Sequence, residues 1–244
     1  MPRCAVLSDI HGNVWALDAV IEDATRRGIL DFLDLGDTLY GPLEPQATAE
    51  RLMELSVVGI LGNEDRILAG RSAAPGNPTL EYVTRSLAPR SREWLLARRA
   101  TMVLAGGLFL CHGTPRSDVT YLLETEAECG GILRDPAAIE AELASVEQDV
   151  VLCGHSHVPR AVRLPAGRLA VNPGSVGLPA FSADPPPHRM ECGSPHARYA
   201  VLATTTAGWS IEHVALPYRW DEAVKAARRN GRDDWAAWLA TGRA

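Results

Sequence analysis

Five apolar runs in this chain each end on side chains that can offer an oxygen or imidazole lone pair. "CAVLSDIHGN" (4–13) ends on Asp9 and His11, "ILDFLDLGD" (29–37) on Asp37, and "SVVGILGN" (56–63) on Asn63. "TMVLAGGLFLCHG" (101–113) ends on His112 and "DVVLCGHSH" (149–157) on His155 and His157. Apolar runs closed by glycine and a polar residue read as buried strands. Strands that end this way can gather their donors along one sheet edge, where open α/β sheets bind ligands. Asp9 and His11, like His155 and His157, stand two residues apart, and an extended backbone would turn both members of each pair to the same side.

The intervening segments set the order of elements. "NVWALDAVIEDATRRG" (13–28) repeats apolar residues with a helical period and closes on Gly28, and "EPQATAERLMEL" (44–55) is a helix with proline near its start. The first third is therefore βαβαβ, which implies parallel strands with right-handed crossovers. Residues 64–100 are arginine-rich and helical in character, broken by "AAPGNP" (73–78) and Pro89, and read as an insertion over the strand ends. Residues 101–113 read as a hairpin, and helix-like segments are expected near 118–123 and 136–146. Two further hairpins are expected at 160–172 and 198–216, which turn at glycine. The Pro-rich stretch 182–197 reads as a surface loop, and 219–241 as two short amphipathic helices carrying no evident chemistry. The parallel and antiparallel halves are expected to form two packed sheets.

The chain has 244 residues, enough to bury roughly three quarters of its unfolded surface, and is expected to be one domain over 1–244. Its 46% hydrophobic and 22% charged residues are those of an ordinary globular protein. A net charge of −6 gives no general attraction to nucleic acid or anionic lipid. No stretch approaches the ~20 apolar residues that cross a bilayer, and the apolar start is too short for a signal-peptide core, so a cytoplasmic protein is expected. The five cysteines (4, 111, 129, 153 and 192) form no Cys-x-x-Cys pair and suggest neither a disulfide framework nor a thiolate metal site.

Two aspartates, four histidines and an asparagine amide make a mixed nitrogen and oxygen set suited to divalent transition ions. Seven ligands exceed what one tetrahedral ion needs, but suit two ions sharing a carboxylate, an arrangement used to hydrolyse phosphate esters. Singly, an Asp-x-His after a strand is more often a helix cap and a surface imidazole, and "GHSH" more often a turn. Together, in order and each at an expected strand end, they make coincidence a poor account.

The motifs "DIHGN", "GDTLYGP", "GNED", "HGTP", "GHSH" and "NPGSVG", spanning about 4–178, resemble the calcineurin-like metallophosphoesterases, in particular their small bacterial and archaeal phosphodiesterase-like members. The resemblance implies a four-layer α/β/β/α sandwich of two mixed sheets flanked by helices. It implies a dinuclear centre in which Asp9, His11 and His157 hold one ion, Asn63, His112 and His155 the other, and Asp37 bridges them. Manganese is the first expectation, with iron, zinc, nickel and cobalt compatible. Many relatives carry histidine after that asparagine, as leaving-group acid or phosphate ligand, and orient it with an aspartate where this chain has Tyr40. Here the following residue is Glu64, so both members of that dyad are absent. Glu64 is expected to face solvent or Arg66, and beside two cations its pKa should be depressed.

The expected function is hydrolysis of a phosphodiester or nucleotide-type small molecule by a metal-bridging hydroxide, with Asp37, Asn63 and His112 as central residues. A dinucleoside-polyphosphate hydrolase, a protein phosphatase and a non-catalytic interaction module of the same fold are the alternatives. Arg66 and Arg116 are candidates to clamp a second phosphate, Asn13 and Asn172 to steady the ligand loops, and Tyr121 and the arginines of 85–99 to line or cover the cleft.

Overall fold

The computed structural model describes residues 3–55, 57–69, 76–126 and 130–244. Cys129 and residues 73–75 of the loop expected at 73–78 lie outside them. The first third follows the expected order: β1 (Arg3–Leu7), α1 (Val14–Arg26), β2 (Phe32–Asp34), α2 (Pro45–Glu54) and β3 (Val58–Gly59). The strands are shorter than their apolar runs because each chain leaves the ladder before its donor residue. Asn13 caps α1, its side-chain oxygen accepting from Ala16 N. Among the described residues the insertion forms three helices: α3 (Asn63–Ala69), α4 (Pro78–Ser86) and α5 (Pro89–Leu96).

The hairpin β4 (Thr101–Leu104) and β5 (Leu108–Cys111) follows as expected. The helix expected near 118–123 does not form. Arg134 explains why: its guanidinium donates to the carbonyls of Tyr121 and Leu122, and its backbone N–H to that of Leu123. Those acceptors are thereby satisfied outside a helix, and the chain runs on into β6 (Glu124–Thr125), paired with β7 (Ile132–Leu133). Then come α6 (Pro136–Glu142), β8 (Val150–Leu152), β9 (Arg160–Arg163) and β10 (Leu169–Asn172). The stretch expected as a surface loop at 182–197 instead contributes to a hairpin, β11 (Ala180–Ala183) with β12 (His188–Glu191). In β12 buried His188 and Met190 alternate with exposed Arg189 and Glu191, a period-two pattern that the neighbouring prolines obscure. The chain ends in β13 (Ala197–Thr205), β14 (Gly208–Leu216), α7 (Trp220–Arg229) and α8 (Asp233–Thr241).

Two five-stranded sheets result, in the orders β14-β13-β1-β2-β3 and β4-β5-β8-β10-β9. Both are mixed, which corrects the division into a parallel and an antiparallel sheet. The β13–β14 hairpin pairs antiparallel with β1, and the second sheet has its own parallel centre, β5-β8-β10. Alternation along β1 shows the layering. Ala5 and Leu7 pack with α1 residues Leu17, Val20 and Ile21, while Cys4 and Val6 face Leu110, Val150 and Leu152 of the other sheet. On the far side Val151 and Cys153 pack with Ile139 of α6. The layers are thus α/β/β/α, and the carboxyl ends of β1, β2, β3, β5 and β8 open towards one another. Among the described residues no helix is long and apolar enough to cross a membrane.

Candidate metal centre

All seven expected donors lie at those strand ends. Ligand atoms of Asp9, His11 and His157 form one group lying within 4.8 Å of one another, and those of Asp37, His112 and His155 a second. A third group of the same span joins His11, Asp37 and Glu64, which places Asp37 between the other two. Asn63 Oδ1 is 3.1 Å from His112 Nε2, so the amide faces the second group.

The backbone reaches this arrangement in a way the i, i+2 argument did not foresee. Asp9, His11, Asp37, His155 and His157 all have left-handed φ, between 51° and 68°, so both pairs sit in tight loops rather than extended chain. Non-glycine residues occupy that region at a cost of about 1–3 kcal/mol each, and do so where function holds them. Interlocking bonds keep the loops there. His11 N donates to Asp37 O, Gly12 N to Thr38 O, and Gly177 N to Asp9 O. Ser175 Oγ donates to Asp9 O, Asn13 Nδ2 to Gly177 O and Asn172 Nδ2 to Gly154 O, so both asparagines brace the ligand loops as expected. Asp65 is buried and accepts from the N–H groups of Thr38, Leu39 and Gly62, tying the β2 and β3 loops together.

Three imidazoles are oriented alike. Nδ1 of His11 bonds Tyr40 O at 2.9 Å, that of His112 bonds Leu35 O at 2.8 Å, and that of His157 bonds Leu178 O at 2.7 Å. A carbonyl only accepts, so each Nδ1 carries the proton and each Nε2 is left for the centre, the usual support of a metal-ligating histidine. His11 Nε2 and His157 Nε2 then lie 3.1 Å apart. Asp9 Oδ1 is buried without a hydrogen bond although His157 Nε2 is only 3.3 Å away. In neutral rings these atoms would present lone pair to lone pair, which a proton or a cation between them relieves. The donor set therefore fits divalent metal.

The electrostatics agree. Burial opposes a charge on His11, but Glu64, Asp37 and Asp9 outweigh it and push the imidazole up to about 9. His112 is likewise pushed up to about 10 by Asp37 and Asp9 against burial. Asp9 and Asp37 are held low, against burial, by the histidines around them. His155 goes the other way, to about 4, through burial and the charge on His112.

Glu64 departs from expectation. Its carboxylate lies 3.2 Å from His11 Nδ1, and Arg66 pairs with Asp118 instead. The depressed pKa expected for Glu64 belongs to a site holding two cations. Within the polypeptide alone, desolvation and the charge on Asp37 outweigh the pull of His11 and push it up to about 7.

A cavity of about 260 Å³ opens above the donors. Tyr121 lines it as expected, but Arg66, Arg116 and the arginines of 85–99 do not. Arg116 borders a separate depression behind His112, and Arg98 is buried against Asp34. Residues that sequence reasoning passed over complete the wall: Phe181 of β11, and Arg232, Trp235 and Trp238 at and in α8. The last three are spaced by three, which places them on one helix face and was a readable signal.

The family model for the calcineurin-like phosphoesterase superfamily domain matches residues 3–192. The chain belongs to that superfamily. Among solved structures, this calcineurin-like phosphoesterase superfamily member is similar to a metallophosphoesterase from Sphaerobacter thermophilus. That likeness has a TM-score of 0.77 at 24% identity and covers 98% of each chain. It is also similar to the hypothetical protein PH1004 from Pyrococcus horikoshii, with a TM-score of 0.75 at 21% identity over 99% of each. At those identities the likeness is one of fold. Among curated proteins it is 36% identical over 69 residues to the uncharacterized protein MJ0912 of Methanocaldococcus jannaschii, a match spanning 28% of each chain.

Proposed function

We propose that the protein hydrolyses phosphodiesters with two divalent transition-metal ions. The observation that carries the reading is the pair His11 Nε2 and His157 Nε2, 3.1 Å apart with both Nδ1 atoms already engaged by carbonyls. Asp9, His11 and His157 would hold one ion, Asn63, His112 and His155 the other, and Asp37 both. When bound, such ions supply Lewis acidity towards the phosphoryl oxygens and acidify the attacking water. The polypeptide's part is orientation. The three Nδ1–carbonyl bonds fix the rings, and Glu64 N donates to Asp37 Oδ1 and so fixes that carboxylate.

With no histidine at position 64, departure of the leaving group relies on its own acidity. Turnover should therefore fall steeply as the leaving group becomes less acidic. The test is hydrolysis of an activated aryl phosphodiester and the matching monoester after metal stripping and return of manganese, alongside Asp37→Asn. The expected result is activity restored by metal, higher on the diester, and lowered in the variant by more than the ~100-fold that loss of an outer ligand partner can cause. Folded protein that turns over no phosphate ester with any of the five metals would overturn the reading in favour of a non-catalytic module.

A further inference from the structure

Resting on that reading, we infer that the cavity above the donors is a subsite for a planar aromatic ring carried by the phosphate ester, with Trp238 as its stacking face.

The cavity has two unlike sides. Its floor is the donor cluster, and its wall is aromatic. Of the chain's six tryptophans, five tyrosines and three phenylalanines, five border this one space. Four of the five have evident structural partners. Tyr121 lies against His155 with ring centroids 4.7 Å apart and bonds His188 Nε2 through its hydroxyl. Phe181 sets its ring against His157 at 4.6 Å, and buried Trp235 meets His11 at 5.6 Å. Tyr40 is buried, its hydroxyl bonded to Asn77.

Trp238 packs on the hydrophobic cluster of α7 and α8, but only in part. It is half-buried, it meets no donor histidine, and its one ring neighbour among the described residues is Trp235, at 6.3 Å. Its helix is anchored by buried Trp235, Ala236 and Leu239, so the indole is held at the cavity by a fixed element. A rigid, partly open indole beside a polar floor is suited to stack on a flat ring whose attached phosphate reaches the floor.

Arg232 supports the same assignment. It is the cavity's sole arginine or lysine among the described residues. Asp234 and Thr79 hold its guanidinium, whose centre lies 5.5 Å from that of the Trp235 ring. A fixed cation there favours an anionic ester entering along the aromatic wall. The volume, about 260 Å³, falls just below the ~300–1,000 Å³ of pockets that enclose drug-sized ligands, and so suits one phosphate bearing one ring system.

The test uses three phosphonates with the same headgroup and a carbon–phosphorus bond that hydrolysis does not cleave: methyl-, cyclohexyl- and phenylphosphonate. Each is titrated calorimetrically into manganese-loaded protein, and into metal-free protein with tryptophan emission as a readout independent of turnover. Phenylphosphonate should bind at least about tenfold tighter than methylphosphonate, equivalent to about 1.4 kcal/mol, and tighter than the cyclohexyl compound. Trp238→Ala should abolish that advantage and Trp238→Phe should restore most of it, with methylphosphonate affinity the same in all three proteins. Equal binding of the phenyl compound and either control, or an advantage that survives Trp238→Ala, would refute the subsite. If methylphosphonate binds and phenylphosphonate gains nothing, the subsite alone fails. If no phosphonate binds and no ester is turned over, the phosphoesterase reading fails with it.

Discussion

Binding of metal to the stripped protein should release close to two protons at pH 7.5. His11 and His112, pushed up to about 9 and 10 by the carboxylates around them, both hold a proton there. A ligating imidazole nitrogen must give its proton up, and each Nδ1 proton is committed to a carbonyl, so the protons displaced come from the Nε2 positions that face the centre. His155, lowered to about 4, and Asp9 and Asp37, held low, are already deprotonated and release nothing, and Glu64, pushed up to about 7, adds only a fraction of a proton. Each proton displaced makes apparent affinity rise tenfold per pH unit, about 1.4 kcal/mol, while the pH stays below the raised pKa. Two protons make the rise about a hundredfold between pH 7 and 8. The gain should level off above pH 9 to 10, where both rings are neutral before metal arrives. The assay is calorimetric titration of manganese or zinc into stripped protein in buffers of different ionisation enthalpy, whose slope counts protons. A slope near zero, or affinity independent of pH from 7 to 8, would refute the protonated resting state.

The same assay tests Glu64. Glu64→Gln removes the strongest support of the His11 charge, so proton release should fall by close to one and the pH dependence should flatten. An unchanged proton count would show that Asp37 and Asp9 suffice. Gly62→Ala should weaken metal binding, because a Cβ there would collide with Asp37 Oδ1 and with the Asp37 backbone nitrogen; unchanged metal stoichiometry and affinity would contradict this. Arg98→Ala strips the partner from Asp34, a fully buried carboxylate at 2.6 Å, and should cost about 3–5 kcal/mol in urea unfolding. The double variant Asp34→Asn/Arg98→Met should cost less than Arg98→Ala alone. Stability equal to the parent in Arg98→Ala would show that the pair contributes nothing.

The donors were legible in the sequence because each cluster follows an apolar run and has a glycine beside it, a signal local enough to read without any contact map. The reason first given for their convergence was wrong in its geometry. Asp9 and His11 meet the centre from left-handed loops, and neither apolar period nor i, i+2 spacing encodes φ. What the sequence hides is mostly long-range. The β13–β14 hairpin was visible, but its attachment to β1 depends on residues some 200 positions apart, such as Arg3 with Ala203. The failed helix at 118–123 and the pairing of β11 with β12 are nearer in sequence, but they too turn on specific partners rather than on local propensity. In the first, Arg134 takes the carbonyls a helix would use; in the second, partners across the hairpin outweigh a proline-rich composition.

Glu64 shows most plainly where residue-by-residue reading stops. In sequence, Glu64 reads as facing solvent or Arg66. In space Asp65 turns inward to the β2 loop and Arg66 outward to Asp118, which leaves Glu64 to close on His11. The division follows from α3 beginning at Asn63. Successive residues in its first turn point about 100° apart, so three adjacent polar side chains are sent to three destinations. The strand end delivers Asn63 to the centre, and the helix turn then determines what stands beside it. A glutamate at this position therefore occupies the centre's edge whatever its chemistry. Its role rests on the charge it places against His11, which the proton count measures directly.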